Sequence, residues 1–154
     1  MDALLAAIVT WLSINFGLVE DYELPKIRFL STETMSLVQY PELNTEERRT
    51  MMEAESLLPV EDRRSVVAAY DTRHQEILLP DGWEGRSPAE ISMLVHEMVH
   101  HLQWKAGTRY ACPAEREGLA YEAQDRWLAV FGTTLEREFQ IDGMTLLVST
   151  TCGM

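Results

Sequence analysis

Apolar residues recur at helical spacing near the start of the chain. Leu4, Leu5, Ile8, Trp11, Leu12 and Phe16 share one face of a 3.6-residue repeat. The pattern predicts an amphipathic core helix, in a first helical segment that ends at Leu24-Pro25. Lys26 to Leu30 is a short strand candidate. Another helix opens at Asn44, a capping residue with Glu47 three positions later, and its apolar residues Met51, Met52, Leu57 and Leu58 lead to a stop at Pro59. Ser65 to Asp71 and Gln75 to Leu79 read as two strands joined by a tight turn. Pro80-Asp81-Gly82 then turns the chain.

The clearest local signals come next. Ser87-Pro88-Ala89-Glu90 is a capping box with proline at the first helical position. Ile91, Leu94, Val95, Met98, Val99 and Leu102 form a broad apolar stripe, and Gly107 stops the helix after Lys105. These signals predict a helix over residues 88–105. A further helix is expected from Pro113 to Phe131, ended by Gly132, and Thr133 with Glu136 marks a short one to Ile141 that Asp142-Gly143 breaks. The order is helix, strand, helix, hairpin, two long helices and a tail. It describes one α+β domain spanning residues 1–154, mostly helical, with a small sheet or hairpin beside the 88–105 helix. No internal repeat, low-complexity segment or linker interrupts it.

Within the 88–105 helix lies His96-Glu97-Met98-Val99-His100, an H-E-x-x-H motif. Residues i and i+4 of a helix project from nearly the same face, so two imidazoles there can reach one tetrahedral Zn²⁺. The adjacent Glu97 is set to take a proton from water at the metal. A third ligand is needed. The metzincin pattern requires Gly at 103 and His at 106, where this chain has Gln103 and Ala106. The other common solution is a glutamate from a following helix. Glu117 is the candidate, because Ala120 and Tyr121 share its face and a small residue lets two helices approach closely. Glu115 and Glu122 lie on other faces and read as solvated charge. The expected metal ligands are therefore His96, His100 and Glu117, with Glu97 as the catalytic base and Zn²⁺ as the cofactor.

His96-Glu97-x-x-His100 followed by Glu117-Gly118-Leu119-Ala120-Tyr121 resembles the gluzincin metallopeptidases, whose second motif is Glu-x-x-Ala-Asp. The stretch from Val66 to Trp127 is also similar to a small bacterial family of uncharacterised single-domain zinc peptidases. The similar parts are Ala69-Tyr70-Asp71, Ile77-Leu78-Leu79-Pro80, Leu94 through Gln103, and Glu117 through Gln124. The resemblance implies a minimal zincin-like domain with the same three ligands and the same base. Tyr121 replaces the gluzincin aspartate that often orients a ligand histidine, so the groups that orient His96 and His100 are unassigned.

Composition narrows the remaining choices. A net charge of −12 argues against a phosphate-neutralising surface and hence against nucleic-acid binding. No apolar run is long enough for a transmembrane segment, and Asp2 stands where a signal peptide would be basic. Cys112 precedes the ligand helix and Cys152 lies near the last residue. A bridge between them fits a periplasmic or secreted protein, whereas two thiols fit a cytoplasmic one. His101 points about a quarter-turn from His100 and reads as supporting or surface, and His74 as exposed at the hairpin turn. Tyr110, Tyr121 and Arg86 are potential oxyanion donors whose ordinary role is packing or surface polarity. The functional expectation is a zinc-dependent hydrolase acting on a peptide or protein substrate, which an exposed edge of the hairpin could hold as an added strand. A non-catalytic zinc-stabilised binding protein and a metal-free helical interaction protein are the alternatives.

Overall fold

The computed structural model describes residues 1–19, 23–39, 43–57 and 68–153. In chain order its elements are α1 (Asp2–Phe16), β1 (Lys26–Leu30), α2 (Thr32–Gln39), α3 (Thr45–Ser56), β2 (Ala69–Asp71), β3 (Glu76–Pro80), α4 (Pro88–Lys105), α5 (Pro113–Val130), α6 (Leu135–Phe139) and α7 (Gly143–Thr150). This is a mostly helical α+β fold, as the pattern predicts.

Helix α4 is the centre of the molecule. Its entry is closed by a reciprocal capping box: the Glu90 N–H donates to Ser87 Oγ (3.1 Å), and the Ser87 N–H donates to Glu90 Oε2 (3.1 Å). The same carboxylate accepts from the Arg86 N–H at 2.8 Å and so ties the preceding loop to the helix. In that loop Gly85 has φ +64°, and a Cβ there would lie 2.7 Å from the Trp83 ring. Every residue from Ser92 to Gln103 is buried. An apolar stripe alone predicts one buried face; burial all round means that α4 is covered from several sides. Leu5, Ile8 and Leu12 of α1 and Ile77 and Leu79 of β3 join Leu94, Val95, Met98 and Val99 in one core. Each such side chain contributes roughly 1.5–3 kcal/mol on burial. On another side α5 presents Ala120 and Ala123, both fully buried, so that the two long helices pack closely.

The sheet has the order β1-β3-β2. Strands β2 and β3 form the expected antiparallel hairpin, pairing Ala69 with Leu78 and Asp71 with Glu76. Residues 65–67 of the expected first strand lie outside the described residues, as do Leu58 and Pro59. β1 pairs in parallel with β3, Ile27 opposite Ile77. That pairing makes β3 the central strand, which explains why Ile77, Leu78 and Leu79 are all buried rather than alternating.

Several boundaries differ from expectation. The first helix ends at Phe16, well before Leu24-Pro25, because Gly17 adopts φ 66° and donates its N–H to the Ser13 carbonyl. Thr32–Gln39 is a helix that the sequence reading leaves out. Ser31 Oγ accepts from the Thr34 N–H (3.2 Å) at its start, a capping signal without a long apolar repeat behind it. Thr134, not Thr133, caps α6. The expected tail is helical: Gln140, at φ 57°, closes α6, and Asp142 caps α7, accepting from the Thr145 N–H at 2.7 Å. Cys112 and Cys152 form a disulfide, with Cα atoms 5.9 Å apart, which binds the end of α7 to the start of α5. Among the described residues, no helix is long and apolar enough to cross a membrane.

Candidate metal centre

His96 and His100, one turn apart on α4, meet Glu117 of α5 at the floor of a cleft of about 490 Å³. His96 Nε2 and His100 Nε2 are 3.2 Å apart, and each lies 3.2 Å from Glu117 Oε2. The three donor atoms thus form a near-equilateral triangle. Tetrahedral zinc with bonds of roughly 2.0–2.1 Å needs ligand atoms about 3.3 Å apart. The observed edges are close to that spacing, so this group can hold a metal ion.

Two hydrogen-bond chains orient the imidazoles. The Ser92 hydroxyl donates to the Ala89 carbonyl (2.7 Å), which leaves Ser92 Oγ to accept from Gln124 Nε2 (3.3 Å). The Gln124 amide is thereby turned so that Oε1 accepts from His96 Nδ1–H at 3.0 Å. On the other side Gln103 Nε2 donates to the Arg116 carbonyl (3.1 Å), and Gln103 Oε1 accepts from His100 Nδ1–H (3.0 Å). In the neutral form of either ring these bonds favour the proton on Nδ1 and direct the Nε2 lone pair at the triangle. Two lone pairs and a carboxylate oxygen converging at 3.2 Å repel one another unless a cation or a proton sits between them.

The remaining charges follow the same geometry. Burial resists ionising Glu117, but once the rings take a second proton on Nε2, the hydrogen bonds from His100 and His96 and their charges outweigh it, holding the carboxyl far below the usual range. Burial likewise opposes charge on His100, yet the hydrogen bond to Glu117 and the nearby Glu97 and Glu117 charges raise its pKa. A divalent cation competes with that proton for the same place. Glu117 Oε1 is separately occupied by Arg116 Nε at 3.0 Å, which leaves Oε2 to face the imidazoles.

Glu97 is buried and lines the cleft with the two histidines. Among the described residues, no hydrogen-bond donor meets its carboxylate. Tyr121 packs edge-on to His96, with ring centroids 4.7 Å apart, and also faces the cleft. Burial, then the charges of Glu117 and Glu97, raise its pKa, so it stays protonated. Tyr110 and Arg86 do not line the cleft; Arg86 pairs with exposed Glu84 at 2.8 Å. Arg116 is there instead, a residue the sequence reading did not single out for chemistry.

His101 is neither a ligand nor a surface group. It is 1 % exposed, its Nε2–H donates to the Glu23 carbonyl (2.8 Å), and its Nδ1 accepts from the Tyr70 hydroxyl (3.1 Å). Burial lowers its pKa, which keeps the ring neutral. Tyr70, in the strand bordering the cleft, has its phenol pushed up to about 12 by burial and the Asp71 charge. His74 is exposed at the hairpin, as expected, bonded to Asp71 Oδ2 at 2.6 Å.

The sequence reading leaves Gln103, Gln124 and Ser92 without a role. A signal for two of them is present: Gln103 lies three residues after His100 and Gln124 seven after Glu117, so each shares a helix face with a candidate ligand.

A family model matches residues 32–154, from α2 through the last residue. The chain belongs to the family described as Domain of unknown function (DUF6647). That description assigns no activity to its members. Comparisons with curated proteins and with solved structures found no match.

Proposed function

We propose that this member of DUF6647 is a zinc-dependent hydrolase, most simply a peptidase of gluzincin type. The observation that carries the reading is the triangle of His96, His100 and Glu117 opening onto a cleft that also holds the carboxylate of Glu97, which meets no hydrogen-bond donor among the described residues. A zinc ion held purely for stability has four protein ligands and needs neither the cleft nor a free acid beside it. Zinc bound here supplies Lewis acidity, acidifying a water and polarising a carbonyl. His96 and His100 present their Nε2 lone pairs, held by Gln124 and Gln103. Glu117 adds one oxygen while Arg116 occupies the other. Glu97 accepts the proton of the attacking water and returns it to the amine as the C–N bond breaks, giving a carboxylic acid and an amine. The Cys112–Cys152 bridge supports work in an oxidising compartment, periplasmic or extracellular.

The test combines metal analysis with a peptide-library digestion read by mass spectrometry. Wild type is expected to carry one zinc per chain and to cleave. Glu97→Gln should retain the zinc and lose turnover by at least about 100-fold. Wild-type protein that takes up no zinc at micromolar metal overturns the reading. Zinc binding with equal peptide turnover in wild type and Glu97→Gln supports the non-catalytic alternative.

A further inference from the structure

Arg116 is the only arginine or lysine among the described residues that line the cleft. Its backbone is pinned, since its carbonyl accepts from Gln103, and its Nε is committed to Glu117. Yet the side chain remains 46 % exposed, and among the described residues no acceptor other than Glu117 meets the guanidinium. With Nε on Glu117, the two Nη groups of this cleft-lining residue are left to a ligand, and a guanidinium pairs with a carboxylate through two parallel hydrogen bonds.

The Nε contact sets the guanidinium beside the ligand triangle. Nε lies 3.0 Å from Glu117 Oε1, and the other oxygen of that carboxylate is a corner of the ligand triangle. Consecutive peptide units are only about 3.8 Å apart, so a terminal carboxylate held by Arg116 leaves the preceding amide within reach of the metal position. Met93, Phe139 and Ile141 give the same cleft apolar walls. The net charge of −12 does not attract anions from a distance, so any preference for one must arise at contact, where solvent is partly excluded.

Resting on the zinc-hydrolase reading, we propose that Arg116 binds the free C-terminal carboxylate of a peptide substrate, and that the enzyme removes an apolar C-terminal residue. The amide before that residue is hydrolysed, releasing it as a free amino acid together with the shortened peptide.

Two ligands test this on the full chain loaded with zinc: 2-benzyl-3-(hydroxycarbamoyl)propanoic acid and its primary amide. Both carry a metal-gripping hydroxamate and an apolar ring; only one carries the carboxylate. Calorimetry is expected to show the acid binding about tenfold or more tighter than the amide. In Arg116→Met that ratio should fall to about one, and Arg116→Lys should keep part of it. If Arg116 acts only by steadying Glu117, Arg116→Met weakens both ligands alike and preserves the ratio, which overturns the proposal. Equal binding of acid and amide by wild type overturns it too, while leaving the zinc reading intact. Failure of both ligands to bind zinc-loaded protein overturns the two readings together.

Discussion

Two faces of α4 carry buried histidines to opposite ends. On the cleft face, His96 and His100 each have one nitrogen held by a glutamine and the other turned toward Glu117. On the face toward β2, His101 has both nitrogens satisfied by protein, through the Glu23 carbonyl and the Tyr70 hydroxyl. All three residues are buried, and His101 is the most buried. Burial and helix position therefore do not by themselves make a candidate ligand. What distinguishes the pair is a lone pair that the protein orients and leaves without a donor of its own.

Substitutions can break this contrast directly. The largest expected effect is on metal: His100→Ala or Glu117→Ala should abolish stoichiometric zinc, whereas His101→Ala should retain it, as read by metal analysis of dialysed protein. Zinc loss in His101→Ala with the fold intact contradicts the contrast. The next effect separates support of the fold from support of the ion. Replacing both Cys112 and Cys152 by serine should lower stability by about 4 kcal/mol in the chain-entropy model while leaving zinc stoichiometry unchanged. Denaturant melts of the two proteins measure it.

The glutamine chains sharpen the comparison further. Gln124→Leu and Gln103→Leu should each weaken zinc binding by about 10–100-fold, because each frees a ring to turn and removes the acceptor that keeps its proton on Nδ1. A competition titration with a chelator reads this. Gln124→Glu, which restores an acceptor, should recover most of the loss. The smallest expected effect lies at the α4 entry. Glu90→Ala should cost about 1 kcal/mol of stability, shared between the cap and the tethered loop. Although burial raises the Glu90 pKa, the Arg86, Ser87 and Glu84 N–H groups outweigh it and lower it. Its contribution is therefore complete above the pKa of an unfolded glutamate and is lost as pH falls through the lower folded value. Melts between neutral and acid pH should show the gap between wild type and Glu90→Ala closing on the acid side.

Much of this arrangement is local and can be read from the chain. The bounds of α4 follow from Ser87, Pro88, Glu90 and Gly107, each acting on its own neighbours. The i and i+4 spacing of His96 and His100 fixes their common face whatever surrounds it. Glu117 follows from the need for a third ligand on the next helix, and the Cys112–Cys152 bridge from the simple count of cysteines. Capping also announces α6, while Asp142 reads from the chain as a breaker although Gln140 ends α6 and the Asp142 side chain caps α7.

The tertiary structure decided everything that depends on a partner far along the chain. β1 joins β3 in parallel across a separation that no periodicity encodes, and this turns β3 into a buried strand. Gln124 reaches His96 from 28 residues away, and His101 finds the Glu23 carbonyl across 78. Arg116, one exposed arginine among many in sequence, enters the cleft because Glu117 and Gln103 hold it from two sides. A hydrogen bond depends on distance and direction in space, and sequence spacing supplies those only within a helix or a turn.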